Sequence, residues 1–337
     1  MNMKQKRVLF YSSVKDKDSF KTVQFYNIDI QILEKLGYTV LLSNKISDAW
    51  KFWKYNFVFA YFYRYSFFVA LIARVFGRKS YFTGGIDALD LKYKGTRGYR
   101  VQSLFFKLCY LICKKAIIVS KTDLENVEAV VFDKRKIAFS EHTIDITSYR
   151  KTMGPKENIF VTIGWMAKSS IARKGIDKAI KVFAALIKCP EFSDYTLVLV
   201  GTPGDGVDYL KDLIKELNIQ DYVIMKGNVS EEEKIELLEQ AKYYFQLSSF
   251  EGFGLAALEA VCARDILIHS GNGGLSNPIY SRELLFDIDN DFESEVIKLY
   301  KSMLHFDTNS IEETYKMVVN NYGNERRMID FESIIME

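Results

Sequence analysis

The chain has 337 residues, of which 48% are hydrophobic, and its net charge is +3. This length favours two domains, and this composition is typical of a globular protein with a substantial core. The N-terminal apolar run is too short for a signal peptide or a membrane span, and the four cysteines are too scattered for a metal cluster. We therefore expect a cytoplasmic protein with free thiols.

Strand-like apolar runs and helical stripes alternate through the first half of the chain. The predicted strands lie at 7–13, 38–43, 56–63, 78–83 and 116–120, and the predicted helices at 21–37, 66–77 and 99–115. Because strands that alternate with helices form βαβ units, this half predicts an α/β domain with a parallel sheet.

The second half repeats the alternation after an interruption at Gly154 and Pro155. Its predicted strands lie at 158–165, 195–201, 221–227, 243–248 and 266–270, and its predicted helices at 174–188, 207–219, 230–241 and 254–265. Since glycine and proline commonly mark linkers, we predict one domain at 1–152 and another at 153–337. We expect the last helix, about 324–336, to cross back to the first domain.

Charge is divided unequally between the two halves. Residues 1–150 contain 26 Lys and Arg against 13 Asp and Glu, whereas residues 151–337 contain 20 against 30. This asymmetry indicates an anionic partner for the first half. Residues 50–82 also interleave aromatic and basic side chains, a pattern typical either of the domain core or of a surface that meets an anionic membrane. We expect no nucleic-acid partner.

Two glutamates stand within an apolar run at 248–260. Glu251 follows a predicted strand, and Gly252 and Gly254 open the next helix, whose N-terminal amide groups could bind an anion. Glu259 lies about one and a half turns into that helix, where its carboxylate could accept hydrogen bonds from a diol. The alternative is a capped helix with one exposed glutamate. Parallel sheets bind ligands outside the carboxyl ends of their strands, so the cleft between two such domains is the expected site.

The stretch FEGFGLAALEAV resembles the E-x7-E signature of the retaining glycosyltransferases of family 4, which have the GT-B fold. That fold is α/β, with two Rossmann-like parallel-sheet domains that face a central cleft. Four more segments resemble that family in the same order: VTIGWMAKSSIARKGIDKAI, LVLVGTPGDG, VIMKGNVSEEEKIELLEQAKYYFQLSS and ILIHSGNGGLSNPI. The resemblance covers residues 158–280 well and the first half in outline.

The resemblance implies a site for a nucleotide diphosphate sugar, with a UDP-linked donor expected. Lys174 and Arg173 would neutralise the leaving diphosphate, Glu251 would hold a hydroxyl of the donor sugar, and Glu259 would hold the ribose. The remaining donor-side positions implied by the resemblance are Gly164, Gly227, Val229, Gly252, Phe253, Gly254, Leu255, Gly273 and Gly274. The acceptor-side positions are Lys15, Gly84 and Asp87. No metal and no cofactor is expected.

The implied activity is metal-independent transfer of a hexosyl unit, with retention, to a membrane-associated glycan or lipid-linked acceptor in cell-surface polysaccharide synthesis. The protein would then work in the cytoplasm, peripherally at the inner membrane face. Two alternatives stay open: a soluble or protein acceptor, and a non-catalytic subunit that binds nucleotide sugars. The second is motivated by Trp165, where the family usually has arginine, by Gly84 in place of a histidine, and by a first loop that lacks glycine.

Overall fold

The computed structural model describes residues 6–86 and 89–336. The chain divides into two compact units. The N-terminal unit comprises Met1–Ile144 together with Tyr322–Glu337, and the C-terminal unit comprises Asp145–Asn321. The division falls after Ile144, whereas the sequence pattern predicts a boundary after residue 152.

The N-terminal unit contains a six-stranded sheet in the order β2-β1-β3-β4-β5-β6, with every pair of neighbours parallel. The strands are β1 (Arg7–Tyr11), β2 (Thr39–Ser43), β3 (Phe57–Tyr61), β4 (Lys79–Thr83), β5 (Lys115–Ile118) and β6 (Ile137–Phe139). The helices are α1 (Ser19–Thr22), α2 (Gln24–Lys35), α3 (Ser66–Val75), α4 (Leu91–Ile112) and α5 (Lys121–Val130). Every residue of β3 is buried, because helices cover both faces of a parallel sheet.

The C-terminal helix of the chain packs in the N-terminal unit. It forms α13 (Asn324–Met336), which lies against α2. The ring of Phe331 is 5.2 Å from that of Phe59 in the centre of the sheet. The apolar side chains of α13 therefore complete one of the two cores that flank this sheet.

The C-terminal unit contains a five-stranded parallel sheet in the order β11-β10-β7-β8-β9. The strands are β7 (Glu157–Ile163), β8 (Thr196–Val200), β9 (Val223–Gly227), β10 (Ala241–Gln246) and β11 (Ile266–His269). The helices are α6 (Lys168–Lys174), α7 (Ile176–Leu186), α8 (Val207–Glu216), α9 (Glu231–Gln240), α10 (Leu255–Cys262), α11 (Phe292–His305) and α12 (Asn309–Tyr322). The prediction of two parallel-sheet α/β domains is therefore confirmed.

Several helices differ from their predicted bounds, and the helix predicted at 21–37 is divided into α1 and α2 at Val23, which is extended. α4 begins at Leu91, with a kink at Gly95, rather than at residue 99. The helix predicted at 174–188 begins at Ile176, and a separate short helix, α6, occupies 168–174. Within the described residues, no helix combines the length and the apolar character that crossing a membrane requires.

Candidate functional site

The order of the C-terminal sheet predicts where its ligand site lies. From β7 the chain adds β8 and β9 on one side and β10 and β11 on the other. Open α/β sheets bind ligands at such a switch point, outside the carboxyl ends of the strands. The residues that follow β7 and β10 are therefore the first candidates, and they include Lys174 and Glu251.

Lys174 and Glu251 form an ion pair at this switch point. Lys174 Nζ lies 2.6 Å from Glu251 Oε2. The same oxygen accepts hydrogen bonds from Gln246 Nε2 and Ser248 Oγ, each at 3.1 Å. Three donors on one oxygen fix the carboxylate in place and leave Oε1 to accept a hydrogen bond from a ligand.

A glycine brings Lys174 to this position. Gly175 ends α6 with φ of 66°, in the left-handed region that favours glycine. A Cβ atom there would lie 2.0 Å from the carbonyl oxygen of Leu247, so no larger residue fits. The backbone N–H of Ser249 donates to the carbonyl oxygen of Arg173 over 2.8 Å. The end of α6 is therefore held against the end of β10, and Lys174 reaches Glu251.

The sequence pattern places Arg173 and Lys174 at the start of a helix, and this prediction is wrong. Both residues lie in the last turn of α6. The helix dipole favours cations at a C-terminus, so the two charges are stabilised rather than opposed by their helix. The error arises because the break at Gly175 depends on its contact with Leu247, which is distant in sequence.

Glu259 lies in a second, more deeply buried ion pair. Only 4% of Glu259 is exposed. Its Oε1 atom lies 2.8 Å from Lys234 Nζ, which also lies 2.8 Å from Glu231 Oε1. Burial raises the pKa of Glu259, and the neighbouring Lys234 opposes that rise. Burial works against the charge of Lys234 as well, but Glu259 and Glu231 outweigh it and raise the pKa of this lysine.

Lys234 is a residue that the sequence analysis missed. It stands three and four positions before the buried Leu237 and Leu238 of α9. Because residues at these spacings share one face of a helix, Lys234 lies on the buried face. The sequence signal for this residue was a lone lysine on the apolar face of a helix whose first turn is acidic.

The glycine pair at 273–274 packs backbone to backbone against the loop that carries Glu251. A Cβ atom on Gly273 would lie 2.1 Å from the carbonyl oxygen of Glu251, and one on Gly274 would lie 2.3 Å from that of Phe253. The N–H of Gly274 donates to the Glu251 carbonyl oxygen over 2.7 Å. These glycines therefore shape the loop at 251–254 through close approach.

The other predicted donor-side residues lie at the same carboxyl edge. Gly164 follows β7, Gly227 ends β9, and Val229 stands just beyond it. Gly252 and Phe253 are half-buried in the loop after β10. Gly254 is the N-cap of α10, and Leu255 is its first residue.

The acceptor-side predictions fall in the N-terminal unit. Lys15 is exposed beyond the carboxyl end of β1. Gly84 follows β4 with φ of +103°, and a Cβ atom there would lie 3.0 Å from the Tyr61 ring. A side chain at 84 would therefore be strained. Asp87 lies outside the described residues.

The contacts of His142 are structural. His142 is buried, with its ring 5.5 Å from that of Phe25, and burial lowers its pKa well below the usual value. In the described part of the chain, no group of three or more His, Cys, Asp and Glu residues is placed to hold a metal ion.

Residues 150–317 match the model of the family described as Glycosyl transferases group 1. Mannosylfructose-phosphate synthase of Agrobacterium fabrum is 26% identical over 162 residues, which are 46% of this chain and 35% of that protein. GDP-mannose:cellobiosyl-diphosphopolyprenol alpha-mannosyltransferase of Xanthomonas oryzae pv. oryzae is 27% identical over 158 residues, 47% of this chain and 40% of that protein. The chain thus matches less than half the length of these two curated relatives.

A solved structure extends the similarity to nearly the whole chain. HepE from Anabaena, in complex with UDP and glucose, superposes with a TM-score of 0.74 at 13% identity, covering 98% of this chain and 99% of that one. At this identity the likeness concerns the fold. It confirms the predicted GT-B class with its two Rossmann-like domains.

Proposed function

Because residues 150–317 match the model of the Glycosyl transferases group 1 family, we propose that this chain is a glycosyltransferase that takes a hexosyl unit from a nucleotide diphosphate sugar. The ion pair of Lys174 and Glu251 at the switch point of the C-terminal sheet carries the proposal. It joins a cation suited to a diphosphate with a carboxylate suited to sugar hydroxyls, outside the carboxyl ends of β7 and β10.

Lys174 has the role of stabilising the leaving diphosphate. An ammonium group offers three N–H donors, and Glu251 takes one of them, so a phosphate oxygen can be bound without loss of the pair. Arg173, in the same helical turn, supplies further positive charge. As the glycosidic bond of the donor breaks, negative charge grows on the diphosphate, and fixed cations lower the barrier most at that stage. These residues do the work that a divalent cation does at other phosphate sites.

Glu251 and Glu259 have distinct binding roles. Glu251 accepts hydrogen bonds from the donor sugar, and the glycine-rich loop at 252–254 meets the phosphates with its backbone. Glu259 accepts hydrogen bonds from the ribose diol. Lys234 is a positioning residue, since it binds Oε1 of Glu259 and favours the ionised carboxylate against the effect of burial. Gly227 and Val229 lie beside the base.

The donor is proposed to be UDP-linked and the transfer to be retaining, as in family 4 with its E-x7-E signature. The HepE structure, which holds UDP and glucose, supports the choice of base, whereas the donor in the name of the Xanthomonas relative is GDP-mannose. The acceptor is proposed to be a lipid-linked or membrane-associated glycan in polysaccharide synthesis. The name of the Xanthomonas relative, which includes a diphosphopolyprenol acceptor, supports that choice.

A second candidate is a subunit that binds nucleotide sugars without turning them over. Trp165 is 58% exposed at the carboxyl edge, where an arginine would add positive charge for the diphosphate. Loss of that charge would weaken stabilisation of the leaving group more than it would weaken binding.

A panel of nucleotide sugars separates these candidates. We expect one donor, most readily UDP-glucose or UDP-N-acetylglucosamine, to raise the unfolding temperature, because a ligand at 100 times its Kd stabilises the folded state by about 2.7 kcal/mol. The same donor should be hydrolysed slowly without acceptor, and the anomer first released, followed by NMR, should keep the donor's configuration. Stabilisation without any release of UDP would favour the non-catalytic subunit. If no nucleotide sugar stabilises the chain, both candidates are wrong.

A further inference from the structure

The segments that lead into four strands of the N-terminal sheet share an unusual surface. They comprise residues 50–56, 74–79, 111–115 and 131–136, which precede or begin β3, β4, β5 and β6. We call these four segments the amino-end surface. In a parallel sheet all such segments meet at one edge, opposite the carboxyl ends where Lys15 and Gly84 lie.

Aromatic contacts join the first two segments. The ring of Phe52 stacks on that of Phe76 with centroids 3.9 Å apart. Trp50 meets the same Phe76 ring edge-on at 5.9 Å. The guanidinium of Arg78 donates through Nε to the carbonyl oxygen of Phe52 over 3.2 Å. The two segments therefore form one continuous patch.

Two basic side chains join the remaining segments to this patch. Arg74 Nη1 donates to the carbonyl oxygen of Ile112 over 3.1 Å. Lys136 Nζ donates to that of Leu111 over 2.9 Å. Segments that are far apart in sequence thus form a single edge, held together by contacts within the N-terminal unit.

Large apolar side chains of this surface are open to solvent. Isolated exposed hydrophobic residues are ordinary, but a contiguous set on one edge indicates an interaction site. The exposed fractions are 57% for Trp50, 66% for Trp53, 73% for Val75 and 69% for Leu111, and Phe132 is fully exposed.

Positive charge surrounds these apolar groups. The four segments contain ten Lys and Arg residues and a single acidic residue, Asp133. The carboxylate of Asp133 is already paired with Arg135, whose Nη2 lies 2.9 Å away. Lys51 and Lys134 are also paired, with Asp48 and Glu128 beside the surface, each at 2.7 Å. Basic residues still outnumber acidic ones across the surface and these neighbours, so a net positive charge remains.

We propose that the amino-end surface docks this chain onto an anionic lipid bilayer. Tryptophan is enriched where hydrocarbon meets headgroups, and lysine and arginine can keep their charges among headgroups while their methylene stems lie on apolar surface. Each basic residue near an anionic leaflet adds to the attraction. The combination of exposed tryptophans and dense positive charge fits that partner better than an apolar protein face, which would leave the charges unpaired.

Docking through this edge turns the carboxyl ends of β1 and β4 away from the lipid. The surface therefore anchors the chain only, and a membrane-associated acceptor would have to extend its glycan to the opposite edge, where Lys15 lies. The inference uses only contacts of the N-terminal unit, so it stands apart from the chemistry proposed for Lys174 and Glu251.

Co-sedimentation of the full chain with vesicles tests the proposal. We expect binding to vesicles of phosphatidylglycerol and phosphatidylcholine, weak binding to phosphatidylcholine alone, and steep loss of binding as salt rises. Replacing four charges, by Lys54→Gln, Lys79→Gln, Lys114→Gln and Arg135→Gln, should lower the partition coefficient by at least about 100-fold. Replacing three apolar groups, by Trp53→Ser, Leu111→Ser and Phe132→Ser, should lower it at every salt concentration, including low salt.

Matched variants in the C-terminal unit serve as controls. Lys181→Gln, Lys211→Gln, Lys215→Gln and Lys301→Gln remove the same number of charges, all from exposed positions. This fourfold control should bind the anionic vesicles within about threefold of the parent, after allowance for the long-range effect of net charge.

Three outcomes overturn the proposal: no binding to anionic vesicles at low salt, equal loss of binding in the control, or self-association that the amino-end variants abolish. The last would identify a second copy of the chain as the partner. Stabilisation by nucleotide sugar is measured on every variant in parallel. If it persists while vesicle binding fails, only the docking inference is wrong. If it is absent from the parent as well, the proposed function fails separately.

Discussion

Two ion pairs of this protein differ in how many of their hydrogen-bonding groups are already bonded within the protein. In the N-terminal unit, Arg327 donates to both carboxylate oxygens of Asp29, at 2.6 and 2.8 Å. Its remaining nitrogen donates to the carbonyl oxygen of Ser140, and the Tyr61 hydroxyl donates to Asp29. The side chains of the pair are only 0% and 1% exposed. Nothing outside the protein can reach this pair.

The pair at the candidate site is open by comparison. The side chains of Lys174 and Glu251 are 18% and 10% exposed. Lys174 uses one of its three donors on Glu251, and the bonds to Glu251 gather on one oxygen. A closed pair holds the C-terminal helix on its unit, whereas an open pair keeps binding capacity for a ligand. Burial of charge alone therefore does not identify a functional site.

The largest effect is expected from breaking the closed pair of Arg327 and Asp29. Arg327→Met leaves the carboxylate of Asp29 buried without its counter-ion, which should lower the free energy of unfolding by about 3–5 kcal/mol. Urea denaturation, followed by a probe in the N-terminal unit, measures the loss. The double variant with Asp29→Asn should recover part of it, because no lone charge remains. A loss under about 1 kcal/mol in Arg327→Met would contradict the structural role.

Breaking the open pair should affect turnover rather than folding. Lys174→Ala should lower the rate of donor cleavage about 10²–10³-fold, because the lysine acts on charge that grows in the transition state. Its loss of unfolding free energy should be clearly smaller than that of Arg327→Met. Lys181→Ala, on the next helix, is the matched control and should keep its activity. Full turnover in Lys174→Ala would refute the role of this lysine.

A third variant tests binding alone. Glu259→Ala removes charge-assisted hydrogen bonds to the ribose, which together are worth about 1.5–3 kcal/mol. Calorimetric titration with UDP should therefore show affinity lowered by roughly 10- to 150-fold. Glu259→Gln keeps the shape of the side chain but not its charge. Its affinity for UDP should therefore lie between that of Glu259→Ala and that of the parent. Equal affinity in Glu259→Ala and the parent would count against the ribose role.

The fold followed from sequence more fully than the site did. Hydrophobic runs and stripes are local signals, so the alternation of strands and helices predicted both sheets. The break at Gly175 is not local, because it depends on the carbonyl oxygen of Leu247. The pattern therefore merged 174–175 with α7 and put Lys174 at the wrong end of a helix.

Contacts between residues that are distant in sequence explain the other features that the sequence pattern did not predict. Lys234 acquires its role only when the fold brings its ammonium group to Glu259 of α10. The aromatic stretch at 50–82 was predicted to be either core or surface, and it is both, since Phe59 is buried and Trp53 is exposed. The amino-end surface also needs residues 111–115 and 131–136, which only the strand order brings together.

The smallest expected effect concerns Lys234 and depends on pH. Burial already raises the pKa of Glu259, and Lys234 opposes that rise. Lys234→Met should therefore raise the pKa further, although the more distant Lys174 still favours the carboxylate and Glu231 still opposes it.

Since the ionised form of Glu259 accepts the ribose hydrogen bonds, nucleotide affinity is lost as pH falls through this pKa. The loss in Lys234→Met should thus begin at higher pH than in the parent. At pH 8 the affinities should differ by only a few-fold, about 1 kcal/mol or less, and the gap should widen as the pH is lowered. Calorimetric titrations with UDP at decreasing pH measure the shift, and Lys234→Arg, which keeps the charge, should follow the parent. Superimposable pH profiles for Lys234→Met and the parent would show that Lys234 packs beside Glu259 without controlling its ionisation.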